Sequence, residues 1–354
     1  MAYFLRLLLW PLSLLYGAVI AIRNKLYDHG VFKSKKFNFP VIVIGNLAVG
    51  GTGKSPLTEY LIRVLKDSYR IAILSRGYGR KTKGFMYVEE SDNSDMAGDE
   101  PLQFKTKYPK VTVVVSENRV LGVEKLMDKH HVIILDDAYQ HRALTPSFSI
   151  LLLDYSSLFK PRLLLPAGDF RDTYNQRKRA NIIIVSKSPI QLSEQEKNKA
   201  IKKVAANTNQ LVLFSFLDYG KPYCITNCRQ ETNILLEEDE VLLVTGIANP
   251  KPLLSYLEER CDAVHLLAYP DHHSYTQKDI KSIVKRFQSM SSDKKYIVTT
   301  EKDFQRLRPF LTCQPLVDLP IWVVPIEAGF SEKEKKQLSS IIFKAVGEKF
   351  NNNH

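Results

Sequence analysis

Cysteine is scarce in this chain. Its four cysteines among 354 residues, Cys224, Cys228, Cys261 and Cys313, lack the paired C-x-x-C spacing of a zinc site. So few and so spaced, they read as reduced thiols of a cytosolic protein rather than as a disulfide framework. An uncharged run long enough to span a bilayer is also missing, since the apolar stretch Leu7–Ile22 has 16 residues where a helix needs ~20. Glycine and proline, 16 and 17, stand at ordinary levels, and no internal repeat is visible, which excludes collagen-like, solenoid and disordered chains. With 44% hydrophobic and 25% charged residues, the chain has the composition of a folded protein of about two domains.

Acidic residues are also in short supply. Thirty-eight Asp+Glu against 50 Lys+Arg leave a net charge of +12, which favours anionic partners: nucleic acid, phosphorylated substrates or an anionic membrane. Within residues 1–39, Arg6, Arg23, Lys25, Lys33, Lys35 and Lys36 are opposed only by Asp28, and this excess adjoins the most apolar stretch. The combination points to a monotopic helix with Trp10 and Tyr16 near lipid headgroups, followed by a basic collar. A cleaved signal peptide would imply an oxidising compartment that the cysteine usage does not suit. A plainer alternative is an apolar helix packed on the protein's own core.

From Pro40 onward, apolar runs at 41–46, 70–75, 111–116, 131–137, 148–154 and 181–187 alternate with helical patterns. Their continuous, β-branched character marks strands buried on both faces. Helices over 54–67, 99–107 and 117–130 complete the strand, helix, strand order of a parallel sheet. A polar connection around Cys224–Thr232 leads to a second unit with strands in 241–250, 263–268 and 296–303, a helix over 251–260 and a last helix opening at Ser331-x-x-Glu334, the spacing of a capping box. The expected class is α/β: a P-loop NTPase-type doubly wound, mainly parallel sheet with a smaller α/β C-terminal unit. The expected divisions are 1–39 for the membrane-associated helix and collar, 40–237 for the core and 238–354 for the second unit.

The first strand runs into Ala48-Val49-Gly50-Gly51-Thr52-Gly53-Lys54-Ser55 and then a helical pattern, the context and spacing of a phosphate-binding Walker A loop. Backbone N–H groups of such a loop point at phosphate oxygens, Lys54 neutralises β/γ charge, and the Ser55 hydroxyl can ligate Mg²⁺. The first position holds Ala48 where glycine is usual. A buried strand ending in two carboxylates supplies the partner motif, with Asp136 the natural Mg²⁺ partner and Asp137 facing the cleft. These groups imply ATP or another nucleoside triphosphate with magnesium, and leave the phosphate acceptor open.

Several loops can choose that acceptor. Asp99, in Ala97-Gly98-Asp99-Glu100-Pro101, is a candidate base, with helix capping by Asp99 and macrodipole stabilisation by Glu100 as the alternative. Arg76, in Ser75-Arg76-Gly77-Tyr78-Gly79-Arg80, and Arg119, in Ser116-Glu117-Asn118-Arg119, are candidate phosphate holders, with a solvated turn and a surface ion pair as their alternatives. His272 and His273 lie in Tyr269-Pro270-Asp271-His272-His273-Ser274-Tyr275; they can orient a carboxylate, while adjacent histidines are awkward joint metal ligands.

Taken in order, GNLAVGGTGKS, SRGYGR, AGDE, SENR, DDAYQH, LPAGDFRD, YPDHHSYT and TEKD resemble the tetraacyldisaccharide 4′-kinase (lipid A 4′-kinase) family of Gram-negative bacteria, from residue 1 to about 305. The resemblance implies a P-loop kinase on the cytoplasmic face of the inner membrane. Such a kinase moves the ATP γ-phosphate to the 4′-hydroxyl of a tetraacyldisaccharide 1-phosphate. It further implies that Lys54 and Ser55 serve nucleotide and Mg²⁺, that Asp99 takes the hydroxyl proton, and that His272 pairs with Asp99. Asp136, Asp137 and Asp172 become metal-shell or positioning carboxylates, and Arg76 and Arg119 phosphate holders. Two departures are present: Ala138-Tyr139 where the family has Gly-Phe, and Asp172 where it has Glu. Two other classes compete with a lipid kinase. A membrane-bound GTPase or ATPase switch lacks the Asn-Lys-x-Asp guanine-reading motif here, and a nucleic-acid-binding ATPase rests on net charge alone.

Overall fold

The computed structural model describes residues 6, 8–226, 239–311 and 314–350. An eight-stranded sheet runs in the order Leu211–Phe214, Ile182–Ser186, Phe148–Asp154, Val41–Asn46, Val132–Leu135, Ile71–Ser75, Thr112–Val115 and Met86–Tyr87. All neighbours are parallel except the short edge strand Met86–Tyr87, which is antiparallel to Thr112–Val115. Every residue of Val41–Asn46 is buried, because alternate side chains enter opposite cores. Ile42 and Ile44 pack with Leu57, Leu61 and Phe104 on one face, whereas Val41 and Val43 pack with Val123, Leu126 and Leu151 on the other.

A second sheet of five strands runs Tyr223–Cys224, Ile321–Val324, Lys295–Thr300, Glu240–Thr245 and Ala263–Ala268, parallel but for the first. An antiparallel ribbon of Phe216–Tyr219 and Ile326–Gly329 connects the two sheets. The expected divide at 237/238, which itself lies outside the described residues, shifts in two places. Tyr223–Cys224 already pairs into the second sheet. The last helix, Glu332–Phe350, carries Leu338, Ile342 and Val346 back into the core beside Leu57 and Leu65, so apolar burial returns it to the first unit. That helix does open on Ser331, whose Oγ accepts from Glu334 N at 3.3 Å and donates to Glu334 Oε2 at 2.7 Å.

The amino-terminal helix spans Trp10–Asp28, longer than its apolar run, and turns its polar side inward. Asn24 Nδ2 donates to Asp172 Oδ1 at 2.9 Å, Ser13 Oγ accepts from Ala167 N at 2.9 Å, and Tyr16 donates to Arg171 O at 2.8 Å. Leu12, Leu14, Leu15, Val19 and Ile22 face outward, each more than half exposed. The alternative of an apolar helix buried on its own core is therefore overturned. No helix among the described residues is long and apolar enough to cross a membrane. Cysteine usage needs one correction: Cys224 is disulfide-bonded, while Cys261 is free and buried; Cys228 and Cys313 lie outside the described residues.

Candidate active site

The phosphate loop leaves the carboxyl end of the central strand Val41–Asn46 and enters the helix Lys54–Leu65. Gly53, at φ +83°, makes the last turn in a left-handed conformation that an L side chain would strain. Asn46 Nδ2 donates to Thr52 Oγ1 at 2.7 Å, and Ser186 Oγ donates to Thr52 O at 2.8 Å, so the end of the loop's own strand and that of Ile182–Ser186 pin the loop. Lys54 and Ser55 open the helix at its positive end. Burial pushes the Lys54 ammonium pKa down, and Asp137, with Nζ to Oδ2 at 3.6 Å, only partly offsets this.

The two aspartates leaving Val132–Leu135 experience opposite environments. Asp136 is 4% exposed, accepts from Thr58 Oγ1 at 3.2 Å, and is pushed up to about pH 7 by burial and then by the charges of Asp137 and Glu100. Asp137 sits at φ +47°. Although burial opposes its charge, Lys54 and a fork from Arg171 hold its carboxyl below the ordinary range. A buried carboxylate beside a second one is a pair of hard oxygen donors suited to a divalent cation.

Asp99 begins the helix Asp99–Lys107, yet its carboxylate turns toward the second unit instead of capping the helix. Its Oδ2 lies 3.2 Å from His272 Nδ1 and 3.3 Å from Arg306 Nε. It is His272 that meets Asp99; His273 is bound to Asp279 Oδ2 at 3.0 Å and stacks on Tyr269. His272 is held above its ordinary pKa by the hydrogen bond to Asp99, against the pull of burial. Glu100, also in the first turn, has its Oε1 accepting from Lys302 Nζ at 2.6 Å, and despite burial that ammonium holds the carboxyl at about 2. Lys302 is half-buried among Glu100, Asp99 and Asp136, which outweigh the desolvation and hold its pKa up. Among the described residues no cluster of three histidine, cysteine or acidic side chains could hold a metal, the Asp271–His273 loop included.

Arg119 is 5% exposed with Nε unpaired among the described residues, and burial followed by the charge of Arg76 lowers its pKa to about 10. Arg76 itself is exposed. His141, the last residue of DDAYQH, is pushed down to about 4 by burial and by Arg119, Arg23 and Arg76, so this corner gathers positive charge. Such a corner suits an anionic group.

The resemblance implied Asp172 as a metal-shell or positioning carboxylate, and the contacts it makes are positioning ones. It is 1% exposed, and its Oδ1 accepts from Asn24 Nδ2 at 2.9 Å and Thr173 N at 2.7 Å, tying down the amino-terminal helix. It is the adjacent Arg171 that reaches Asp137 and Asn46. Three contributors escaped the sequence reading. Arg171, Lys302 and Arg306 each stand inside or next to a quoted motif, but nothing in their spacing says which carboxylate they meet.

A glycine-rich loop between a parallel strand and a helix, facing paired aspartates at the end of the adjoining strand, defines a P-loop nucleotide-binding protein. The comparisons narrow the class. The family described as tetraacyldisaccharide-1-P 4′-kinase matches residues 5–345. A tetraacyldisaccharide 4′-kinase of Phocaeicola vulgatus is 40% identical over 94% of this chain and 93% of its own length, and one of Flavobacterium johnsoniae is 42% identical over 90% and 92%. The crystal structure of LpxK from Aquifex aeolicus in complex with ATP is similar at TM-score 0.73 and 29% identity, covering 97% of this chain and 99% of that one. The chain belongs to the tetraacyldisaccharide-1-P 4′-kinase family and is a kinase.

Proposed function

We propose that the family reaction, transfer of the ATP γ-phosphate to the 4′-hydroxyl of a tetraacyldisaccharide 1-phosphate, runs in this chain across the gap between the phosphate loop and Asp99. The observation that carries this reading is the shared electrostatic neighbourhood of the two halves: Lys302 lies among Asp99, Glu100 and Asp136 at once. Ala48–Ser55 cradles the phosphates, and Lys54 moves from Asp137 to the β/γ oxygens. Ser55 and Asp136 would hold Mg²⁺, which supplies charge neutralisation for the transferring group. Asp137 and its Arg171 clamp keep Lys54 in place. Asp99 accepts the hydroxyl proton as the oxygen attacks γ-phosphorus and the bond to the β-phosphate oxygen breaks, leaving ADP. His272 holds the carboxylate for that step. Arg76 and Arg119 hold phosphate oxygens.

The same reading puts the protein on the cytoplasmic face of the inner membrane of a Gram-negative bacterium. Outward-facing Leu12, Leu15, Val19 and Ile22 enter the lipid boundary, while exposed Lys25, Lys33, Lys35 and Lys36 meet anionic headgroups. A lipid substrate then presents its sugar to the cleft while its acyl chains stay in the bilayer. The testing experiment is transfer of labelled γ-phosphate from Mg-ATP to tetraacyldisaccharide 1-phosphate in detergent. Labelled lipid is expected, and nucleotide hydrolysis without labelled lipid would overturn the reading in favour of a membrane-bound switch.

A further inference from the structure

Asp99 Oδ2 is hydrogen-bonded to His272 and also pairs with Arg306, whose Nε donates to Lys302 O at 3.4 Å and whose charge beside the carboxylate has no role so far. His272 Nδ1 and Arg306 Nε both address Oδ2, at 3.2 Å and 3.3 Å. Oδ1 has no hydrogen-bond partner among the described residues, so it is the oxygen left for an acceptor hydroxyl. The two partners differ in how firmly they are held. The His272 side chain is 37% exposed, on a loop residue at φ +57°. The Arg306 side chain is 4% exposed on the helix Glu301–Leu307. Its Nη1 donates to Gly246 O at 3.2 Å and to His273 O at 3.3 Å, and Nη2 lies 3.4 Å from Asp303 Oδ1.

Asp303 is in turn immobile. It is fully buried, and accepts from Thr245 Oγ1 and Thr300 Oγ1 at 2.7 Å, Gly246 N at 2.9 Å and Tyr275 Oη at 3.0 Å. Gly246 O receives the backbone N–H of His272 at 3.2 Å. One guanidinium therefore touches the strand end, the histidine loop and the carboxylate. A planar fork fixes direction in a way that a single imidazole on an exposed loop does not.

We infer that Arg306, braced by Asp303, is the positioning residue that sets the orientation of the Asp99 carboxylate, so that the working unit is Asp99, His272 and Arg306. This rests on Asp99 being the base. Its consequence is that the second unit delivers both groups that orient a base carried by the first, making a correctly seated second unit a condition of transfer.

The test is a double-mutant cycle on lipid phosphorylation with Arg306→Met, Arg306→Lys, Asp99→Ala and Asp99→Ala/Arg306→Met. Arg306→Met is expected to lower kcat by about 10–100-fold with KM for ATP and lipid within about twofold, because only orientation of the base is lost. In the Asp99→Ala background the same change should cost nothing further, since a residue acting through Asp99 has nothing left to act on. Added guanidinium ion should restore part of the Arg306→Met rate, which simple repair of folding would not predict. Equal fold losses in both backgrounds, or a loss confined to KM, would overturn the inference. Should Arg306→Met fail to fold, Arg306→Lys, compared in both backgrounds with ATP binding as the check on folding, reads the same coupling. An inactive Asp99→Ala beside a fully active Arg306→Met defeats only the positioning role, whereas a fully active Asp99→Ala defeats the base assignment beneath it.

Discussion

Lys54 Nζ lies 3.6 Å from Asp137 Oδ2, farther than a tight hydrogen bond and near enough to hold an ion pair. Burial lowers the pKa of this lysine and Asp137 partly offsets that, an ion pair that phosphate oxygens are expected to replace. Lys54→Ala removes the charge that answers the β/γ-phosphates as the bond to ADP breaks. By analogy with the loss of one preorganised donor, kcat should fall by about 10²–10³-fold. Steady-state kinetics of lipid phosphorylation check this, and an unchanged kcat would remove Lys54 from the transfer step.

Asp136 is destabilising by design of its surroundings. Its folded pKa of about 7 lies above the unfolded carboxyl's, so the folded state binds more protons and stability falls as pH rises from about 4 to 7. Asp136→Asn should therefore raise the melting temperature at pH 8 by a few degrees, since each ~1 kcal/mol moves it by about 2–4 °C in domains of 150–250 residues. That advantage should shrink as pH falls from 7 toward 4, where wild-type Asp136 is neutral in the fold as well. The same variant should lose turnover, and Mg²⁺ with nucleotide should stabilise it less than wild type. Differential scanning calorimetry at pH 5, 6.5 and 8, with and without Mg²⁺ and nucleotide, measures the stabilities and a phosphoryl-transfer assay the turnover; a melting temperature lower than wild type at pH 8 would contradict the account.

Much of this site was legible beforehand because its signals are local. The phosphate loop, strand Val41–Asn46 and helix Lys54–Leu65 come from one continuous stretch, whose glycines, β-branched run and helical pattern agree. Strands Ile321–Val324 and Ile326–Gly329 were not expected, because a four-residue run carries too little periodicity to declare itself. Long-range pairings were the other loss. Arg306 stands 207 positions from Asp99, and nothing near either residue encodes their meeting. Asp172 shows the same limit at short range: its motif was visible, but which of two adjacent side chains meets Asp137 depends on the bend at residues 171–172.

The exposed side of the amino-terminal helix gives a prediction that spares the fold. Leu12, Leu15, Val19 and Ile22 are 55%, 66%, 56% and 59% exposed, so changing all four to glutamine removes apolar surface without opening a cavity. Co-sedimentation with vesicles containing an anionic phospholipid should drop by at least tenfold, while transfer to detergent-dispersed substrate stays within about threefold. Binding equal to wild type would assign membrane attachment elsewhere in the chain.

Lys107 connects the two units through buried carboxylates. Its Nζ lies 2.6 Å from Glu59 Oε2, on the phosphate-loop helix, and 2.8 Å from Glu301 Oε1, at the head of the helix that carries Arg306. Glu59 is fully buried and is pushed up to about 7 by burial and then by Glu301, and burial raises Glu301 too. Lys107→Met leaves two neighbouring carboxylates without their cation, a loss of about 3–5 kcal/mol for a buried pair, or roughly 6–20 °C in melting temperature. The sign of the pH dependence follows from the same charges. Without Lys107 both carboxyls titrate higher still, so the deficit should be largest above pH 8 and shrink as the pH falls and each takes up a proton. Adding Glu59→Gln and Glu301→Gln should recover most of the loss, because no buried charge is then unpaired. A deficit independent of pH, or no recovery in the triple variant, would show that Lys107 contributes through its packing and not through its charge.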